Sequence, residues 1–205
     1  MRSLAGSASH SVLFPRQNLA DDMRSLVGVD IDSVPERHTI VAEGVDLEVV
    51  DRAVALVSAG ATDADPALRE LAYLVGGLAP DRRDLPLIVS VGRMHRVKGM
   101  ATLAETWAGS ALSERANLLI IGGDLENPSL DEREQLDRIE LAVPSAERAT
   151  RGLILAGHRP NDIAARWVAA ARLGIPGRVS GQGVYVCASI KEEFGIAEVF
   201  TRQGA

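Results

Sequence analysis

Apolar runs and helical spacings alternate through the second half of the chain. Four runs of four or five mainly apolar residues are typical of strands buried on both faces. Between them, apolar residues recur at intervals of three and four, which predicts helices with one buried face. The strands are expected at residues 87–91, 118–121, 153–156 and 184–187, and the helices at about 100–107, 129–141 and 161–171. This succession predicts an α/β fold, a Rossmann-like parallel sheet flanked by helices.

The pattern before residue 87 is weaker. It predicts a helix between residues 12 and 32 that ends at Gly28, and a short strand at 39–41. Two amphipathic helices are expected next, around residues 49–57 and 68–75.

Two of the predicted helices begin with polar caps. Ser129 and Glu132 have the spacing of a capping box, in which each side chain bonds the backbone N–H of the other residue. Asn161 or Asp162 is expected to cap the helix after the third strand. Such caps satisfy N–H groups that the first helical turn leaves unpaired, so they indicate where the helices start.

The composition narrows the class of protein. Of 205 residues, 46% are apolar and 24% charged, as in a soluble domain, while only 3% are aromatic, so we expect an aliphatic core. The net charge of −6 argues against nucleic-acid and anionic-membrane partners. No apolar run approaches the roughly 18 residues of a transmembrane helix, and no signal peptide is visible. We therefore expect a cytoplasmic location.

The histidines and the cysteine do not indicate a metal site. His10, His38, His95 and His158 are scattered without the spacing of metal ligands, so we expect no structural metal. Cys187 is the single cysteine and cannot form an internal disulfide. Since no histidine is paired with it in the sequence, we expect a small buried hydrophobic residue there rather than a nucleophile.

The loop after the first buried strand carries two cations. Ligands of open α/β sheets bind at the carboxyl ends of the strands, and residues 92–99 follow such an end. Arg93 and Lys98 suit a diphosphate held near a helix N-terminus; the alternative is that both are solvated loop residues. Neither a G-x-G-x-x-G fingerprint nor a Walker A loop is present.

Two further loops follow buried strands. The Gly-Gly-Asp sequence at residues 122–124 favours a plain turn over a ligand site. Residues 189–196 offer carboxylates to sugar hydroxyls and backbone amides to an anion, or form an exposed polar loop. By themselves, these loops indicate a phosphate-bearing ligand.

Five segments, in order, resemble the nucleotide-sugar-binding half of the retaining glycosyltransferases of family 4, the group 1 type with two Rossmann-like domains. The segments are 41–46 (VAEGVD), 90–99 (SVGRMHRVKG), 118–124 (LLIIGGD), 155–158 (LAGH) and 184–196 (VYVCASIKEEFGI). The long loop at 122–129 is similar to that of the sucrose synthase and sucrose-phosphate synthase branch.

The resemblance implies transfer of a hexose from a nucleoside-diphosphate sugar to a sugar or alcohol acceptor with retention of configuration. By this resemblance Arg93 and Lys98 would bind the diphosphate and stabilise the departing nucleoside diphosphate without a metal, and Glu192 would lie near the donor sugar. These three would be the catalytic residues. The donor-binding residues would be Gly92, Gly157, His158, Gly195, Ile196 and Ala197. No cofactor besides the donor substrate is implied, and the base, the sugar and the acceptor stay open.

The chain also departs from the family pattern. The second glutamate of the E-x7-E element, which contacts the ribose in the family, would stand at Phe200. Residues 41–205 would form an incomplete nucleotide-sugar-binding domain, part of the C-terminal domain of the GT-B fold, and residues 1–40 a remnant of the interdomain region or the acceptor domain. We therefore expect an incomplete, inactive chain with an exposed sheet edge that favours self-association. The alternatives are a catalytically silent nucleotide-binding or interaction module and, less favoured, a sugar-phosphate enzyme.

Overall fold

The computed structural model describes residues 10–13, 18–41, 47–60 and 63–190. The chain divides into two compact units, the first running to Val45 and the second beginning at Asp46. The predicted assignment of residues 1–40 and 41–205 to parts of a glycosyltransferase stays a prediction.

The first unit contains two short parallel strands. Strand β1 (Ser11–Leu13) pairs with β2 (His38–Ile40), and helix α1 (Leu19–Asp22) lies between them in the chain. This helix continues as a π-helical turn over Met23–Val27 and ends at Gly28, whose φ of 76° lies in the left-handed region. The predicted helix is therefore present, but the start of its predicted range is a strand. Strand β2 begins one residue earlier than predicted.

The second unit contains a four-stranded parallel sheet, which confirms the predicted α/β fold. Its strands are β3 (Leu87–Val91), β4 (Asn117–Ile121), β5 (Leu153–Gly157) and β6 (Val184–Tyr185), in the spatial order β5-β4-β3-β6. The chain thus adds two strands on one side of β3 and then crosses to its other side. The crevice at the carboxyl ends of β3 and β6 is therefore a topological switch point.

Strand β6 is shorter than the sequence predicts. Only Val184 and Tyr185 pair with β3, so the ladder ends before Cys187. The prediction that Cys187 is buried is wrong, because this residue lies beyond the ladder and is exposed. Among the described strands of this sheet, β5 and β6 form the edges; self-association through an edge stays a prediction.

The described residues contain eight α-helices, α1 in the first unit and seven in the second. Those of the second unit are α2 (Leu47–Ser58), α3 (Pro66–Gly76), α4 (Met100–Ala108), α5 (Leu112–Arg115), α6 (Leu130–Ala142), α7 (Arg148–Arg151) and α8 (Asn161–Leu173). Helices α2, α3, α4, α6 and α8 lie at the five predicted positions and confirm the helical spacing.

The two predicted helix caps have different outcomes. The capping box of Ser129 and Glu132 is present at the start of α6. The predicted cap of α8 is wrong, because Pro160 occupies the N-cap position and no side chain bonds the first turn. Asn161 is instead the first helical residue, and the Asp162 carboxylate accepts a hydrogen bond from Arg166 at 3.1 Å.

Strands β3, β4 and β5 each contribute to two hydrophobic cores, because successive side chains point to opposite faces. On one face, Val89 and Leu119 pack in a cluster with helices α2, α3 and α8. On the other, Ile88 and Leu118 pack with helices α4 and α6. The continuous apolar runs in the sequence follow from this burial on both faces.

Both cores are mainly aliphatic, as predicted, and each contains one tryptophan. Trp107 and Trp167 are fully buried, one in each cluster. Their indole N–H groups donate to backbone carbonyls, from Trp107 to Ala116 at 3.2 Å and from Trp167 to Ala67 at 2.7 Å.

A buried polar network lies at the amino end of β4. The Arg82 guanidinium donates to Asn117 Oδ1 at 3.1 Å and to the carbonyls of Ser113 and Ala116 at 2.6 and 3.1 Å. The Asn117 amide donates to the carbonyl of Arg82 at 2.7 Å. These bonds tie the segment before β3 to the segment before β4, at the end of the sheet opposite the candidate site.

Candidate functional site

The loops after β3, β4 and β5 surround one cleft of about 810 Å³. Parallel strands bring their carboxyl ends to one edge of the sheet, so loops that are distant in sequence meet there. The residues that matter for its chemistry are Gly92, Arg93, Asp124, Glu132, Gly157 and His158. Four of these, Gly92, Arg93, Gly157 and His158, are site residues predicted from the sequence, and the structure brings them together.

Glycines allow the loops to approach one another closely. The Gly92 N–H donates to the Ile121 carbonyl at 3.0 Å, and the Gly122 N–H donates to the Gly157 carbonyl at 2.8 Å. Gly122 has a φ of 142°, and a Cβ at this position would collide with the Gly92 carbonyl oxygen. The Gly-Gly-Asp segment is therefore a wall of the cleft rather than an isolated turn.

Arg93 is the cation of the cleft with no internal partner in the described residues. Its side chain is exposed, and no described residue accepts a hydrogen bond from its guanidinium. Its neighbour Met94 is buried and anchors the loop to the core. An exposed guanidinium on an anchored backbone is able to bind a phosphate through two parallel N–H groups.

Lys98 lies on the other side of the same loop. It ends a 3-10 turn (Arg96–Lys98), and its side-chain stem runs about 4 Å from where a Cβ on Gly92 would stand. The Val97 carbonyl accepts a hydrogen bond from the Ile190 N–H at 2.9 Å. Lys98 is thus beside Gly92 but toward the gap between β3 and β6, and it does not line the cleft.

The last predicted site residues lie outside the described residues. These are Glu192, Gly195, Ile196 and Ala197, and the Phe200 position that departs from the family pattern lies there too. Their places in the site stay predictions.

One wall of the cleft is acidic and internally bonded. The Glu132 carboxylate accepts hydrogen bonds from the Ser129 N–H at 2.9 Å, the Ser129 hydroxyl at 2.8 Å and the Asp124 N–H at 3.1 Å. These bonds, first that of the Ser129 N–H, hold the pKa of Glu132 below its ordinary value. Asp124 Oδ1 in turn accepts from the N–H groups of Glu126 and Asn127. The spacing of the capping box predicted the Ser129 contact but not the link to Asp124.

Arg159 is a cleft residue that the sequence analysis missed. Its guanidinium pairs with Glu70 at 2.7 Å, lies 5.3 Å from the centre of the Trp167 ring, and donates to the His158 carbonyl at 2.8 Å. Its position directly after the third apolar run was the available signal. Because Glu70 offsets its charge, Arg159 supports the loop that carries the exposed His158 more than it offers a free cation.

Metal-binding clusters and membrane-spanning helices are both absent from the described residues. Within the described ranges, no three His, Cys, Asp or Glu side chains are grouped so that they could hold a metal ion. Over the same ranges, no helix has the length and apolar character needed to cross a membrane.

Comparison with known proteins gives partial similarities. No family model matches the chain. Over 133 residues the chain is 32% identical to a sucrose synthase of Acidithiobacillus caldus. The matched segment covers 60% of this chain and 15% of that protein. Over 63 residues it is 38% identical to a sucrose synthase of Thermosynechococcus vestitus, covering 30% of this chain and 7% of that protein. The chain therefore spans a small part of these relatives, and the similarity indicates a glycosyltransferase-like relationship.

Proposed function

We propose that the second unit binds the nucleotide-sugar donor of a glycosyltransferase that transfers a hexose to a sugar or alcohol acceptor with retention of configuration. The observation that carries the proposal is the single cleft at the carboxyl ends of β3, β4 and β5, where Arg93 has no described partner and glycine backbones leave room for a ligand. The partial similarity to two sucrose synthases supports the same class of reaction.

The diphosphate is the part of the donor that the described residues fit best. Arg93 offers a planar fork and Lys98 a point charge, and the two stand on either side of Gly92. Helix α4 begins at Met100, directly after this loop, so its N-terminal N–H groups add positive potential on that side. In this proposal the cations stabilise the negative charge that grows on the departing nucleoside diphosphate, which is electrostatic catalysis by groups already in place.

The remaining parts of the donor are assigned by the resemblance. Gly157 and His158 lie near the nucleobase, Glu192 near the transferred sugar, and the amides of residues 195–197 near the phosphates. The identity of the base, the sugar and the acceptor is left open by this assignment. No cofactor besides the donor is part of the proposal.

A second candidate is a nucleotide-binding module without catalysis. It is favoured by Phe200, which stands where the family has its second glutamate, since a phenyl ring cannot accept hydrogen bonds from ribose hydroxyls. Such a module binds a nucleoside diphosphate at Arg93 but transfers no sugar.

Calorimetric titration of the full chain with UDP, GDP and ADP tests donor binding. We expect saturable binding of at least one of the three, weakened by about 1 to 3 kcal/mol in both Arg93→Ala and Lys98→Ala, the scale of a charge-assisted contact. Arg52→Ala is the matched control, because it removes an exposed arginine whose partner is Glu48 on helix α2. A folded chain that binds none of the three nucleotides contradicts the proposal.

A chimera separates the enzyme from the silent module. In it, the matched segment of this chain replaces the corresponding segment of the Acidithiobacillus caldus sucrose synthase. Sugar transfer by the chimera supports the enzyme. Nucleotide binding of unchanged strength with no sugar transfer supports the silent module.

A further inference from the structure

His95 lies midway between the two candidate cations and bonds to the backbone of both. Its N–H donates to the Arg93 carbonyl at 2.8 Å, and its own carbonyl accepts from the Lys98 N–H at 2.8 Å. Its ring Nδ1 accepts from the Val97 N–H at 3.3 Å, which caps the 3-10 turn that ends at Lys98. The backbone position of each cation is therefore one hydrogen bond away from His95.

The other ring nitrogen faces the start of helix α6. His95 Nε2 lies 3.4 Å from Oδ2 of Asp131, in the first turn of helix α6. Because Nδ1 is an acceptor, the neutral ring carries its proton on Nε2, where it points to this carboxylate. The start of α6 is itself bonded to the acidic wall through Glu132.

The buried side chain of Met94 anchors the same loop to the core. It is 1% exposed, and its Cβ lies 2.8 Å from where a Cβ on Gly123 would stand. Between Arg93 and Lys98, the loop is therefore held by the burial of Met94 and by the contacts of the His95 ring with Val97 and Asp131.

We propose that His95 is a positioning residue that sets Arg93 and Lys98 for the diphosphate by joining their loop to helix α6. The ligand in this statement rests on the proposed function, whereas the loop geometry does not. His95 touches no reacting atom in this scheme; it acts through the two cations.

Three variants separate the two contacts of the ring. His95→Ala removes both, and we expect the dissociation constant of the bound nucleotide to rise about 5- to 10-fold, as for loss of a cap and an exposed hydrogen bond to a carboxylate together. His95→Asn keeps a short acceptor for the Val97 N–H but does not reach Asp131, so it should recover part of the loss. Asp131→Asn removes only the charged partner and should raise the constant about 2- to 3-fold. Arg52→Ala, which breaks an exposed ion pair on helix α2, should leave it unchanged.

The experiment is titration of the full-length variants with UDP, GDP and ADP, together with amide hydrogen exchange of the nucleotide-free protein. We expect faster exchange of the Val97 and Lys98 amides in His95→Ala, partial recovery in His95→Asn, and an unfolding midpoint close to that of the wild type. Unchanged exchange of these two amides in His95→Ala overturns the positioning role, and so does nucleotide binding of wild-type strength. If the wild type binds none of the three nucleotides, the proposed function fails, and the exchange rates still decide the role of His95.

Discussion

Two arginines at opposite ends of the same sheet differ in burial and in hydrogen bonding, and this difference decides which of them is available to a ligand. Arg82, before β3, is 7% exposed, and its guanidinium makes three hydrogen bonds to Asn117 and two backbone carbonyls. Arg93, after β3, is exposed and finds no acceptor among the described residues. Eleven residues separate two side chains of the same chemistry, and only the second is available to a ligand.

The difference follows from the acceptors at each end. At the amino end, Asn117 Oδ1 and the Ser113 and Ala116 carbonyls accept hydrogen bonds from the buried guanidinium, and burial lowers its pKa. At the carboxyl end, the exposed Arg93 side chain lines the cleft, where no described residue accepts a hydrogen bond from it. A buried polar group must be satisfied by the protein itself, whereas an exposed one is satisfied by water until a ligand arrives.

Arg82→Met should have the largest effect on stability. The substitution leaves Asn117 Oδ1 and the Ser113 and Ala116 carbonyls without this donor in a buried place, which should lower the free energy of unfolding by about 3 kcal/mol. Urea denaturation measures it. The adjacent Arg83→Met is the control, since Arg83 is exposed and makes one bond, to the Leu78 carbonyl. Equal losses in the two variants would contradict the structural role of Arg82.

Arg93→Ala should behave in the opposite way. We expect the free energy of unfolding to change by less than about 0.5 kcal/mol, because the side chain has no described partner to lose. Nucleotide binding should weaken by about 2 kcal/mol, the middle of the range for a charge-assisted contact. Parallel denaturation and calorimetry measure the two effects. A stability loss like that of Arg82→Met would remove the contrast between the two arginines.

Gly152→Ala tests how rigid the buried Arg82–Asn117 network at the amino end of the sheet is. Gly152 has a φ of 85°, and a Cβ there would collide with Asn117 Oδ1 and crowd the Arg82 guanidinium. Gly177 has a similar φ of 67° but open space around it, so Gly177→Ala measures backbone strain without a clash. We expect the Gly152 substitution to cost about 1 to 2 kcal/mol more in thermal or urea unfolding. Similar costs at both positions would mean that the buried network adapts freely.

Glu132→Gln should have the smallest effect, and a pH-dependent one. Because its native pKa lies below the ordinary value of 4.5, the carboxylate stabilises the folded state fully above pH 4.5 and loses this contribution as the pH falls through the lower native pKa. At neutral pH we expect a loss of about 0.5 kcal/mol, the scale of an exposed helix cap. Urea unfolding at a series of pH values measures the free energy of unfolding of the wild type and of the variant. The difference between these two free energies should decrease as the pH falls below 4.5. A difference that is constant with pH would contradict the prediction.

The sheet and the start of α6 could be predicted because their signals are local. Residues 87–91 form a strand with the predicted bounds, and Ser129 caps the helix that its spacing to Glu132 indicates. Cys187 was misplaced because strand pairing, which ends at Tyr185, is a long-range property. The α8 cap was misplaced because Pro160 takes the position that the polar residues after it could otherwise hold.

The candidate site was predictable in part for the same reason. Arg93 and His158 stand directly after apolar runs, so strand topology alone brings them to one edge. The pairing of Arg159 with Glu70 joins residues 89 positions apart, and the Arg82 bond to Asn117 joins residues 35 apart. Nothing in the local pattern distinguishes such a paired arginine from a free one, so the electrostatic contrast between the two ends became visible only in the fold.

Amide chemical-shift mapping shows in one experiment which end of the sheet binds a nucleotide. The ¹⁵N-labelled full chain is titrated with UDP, GDP and ADP in turn. We expect saturable chemical-shift changes at the amides of Gly92, Arg93, Gly157 and His158, and unchanged chemical shifts at Asn117 and Gly152. No shifts with any of the three nucleotides, or shifts centred on Asn117 and Gly152, would contradict this expectation.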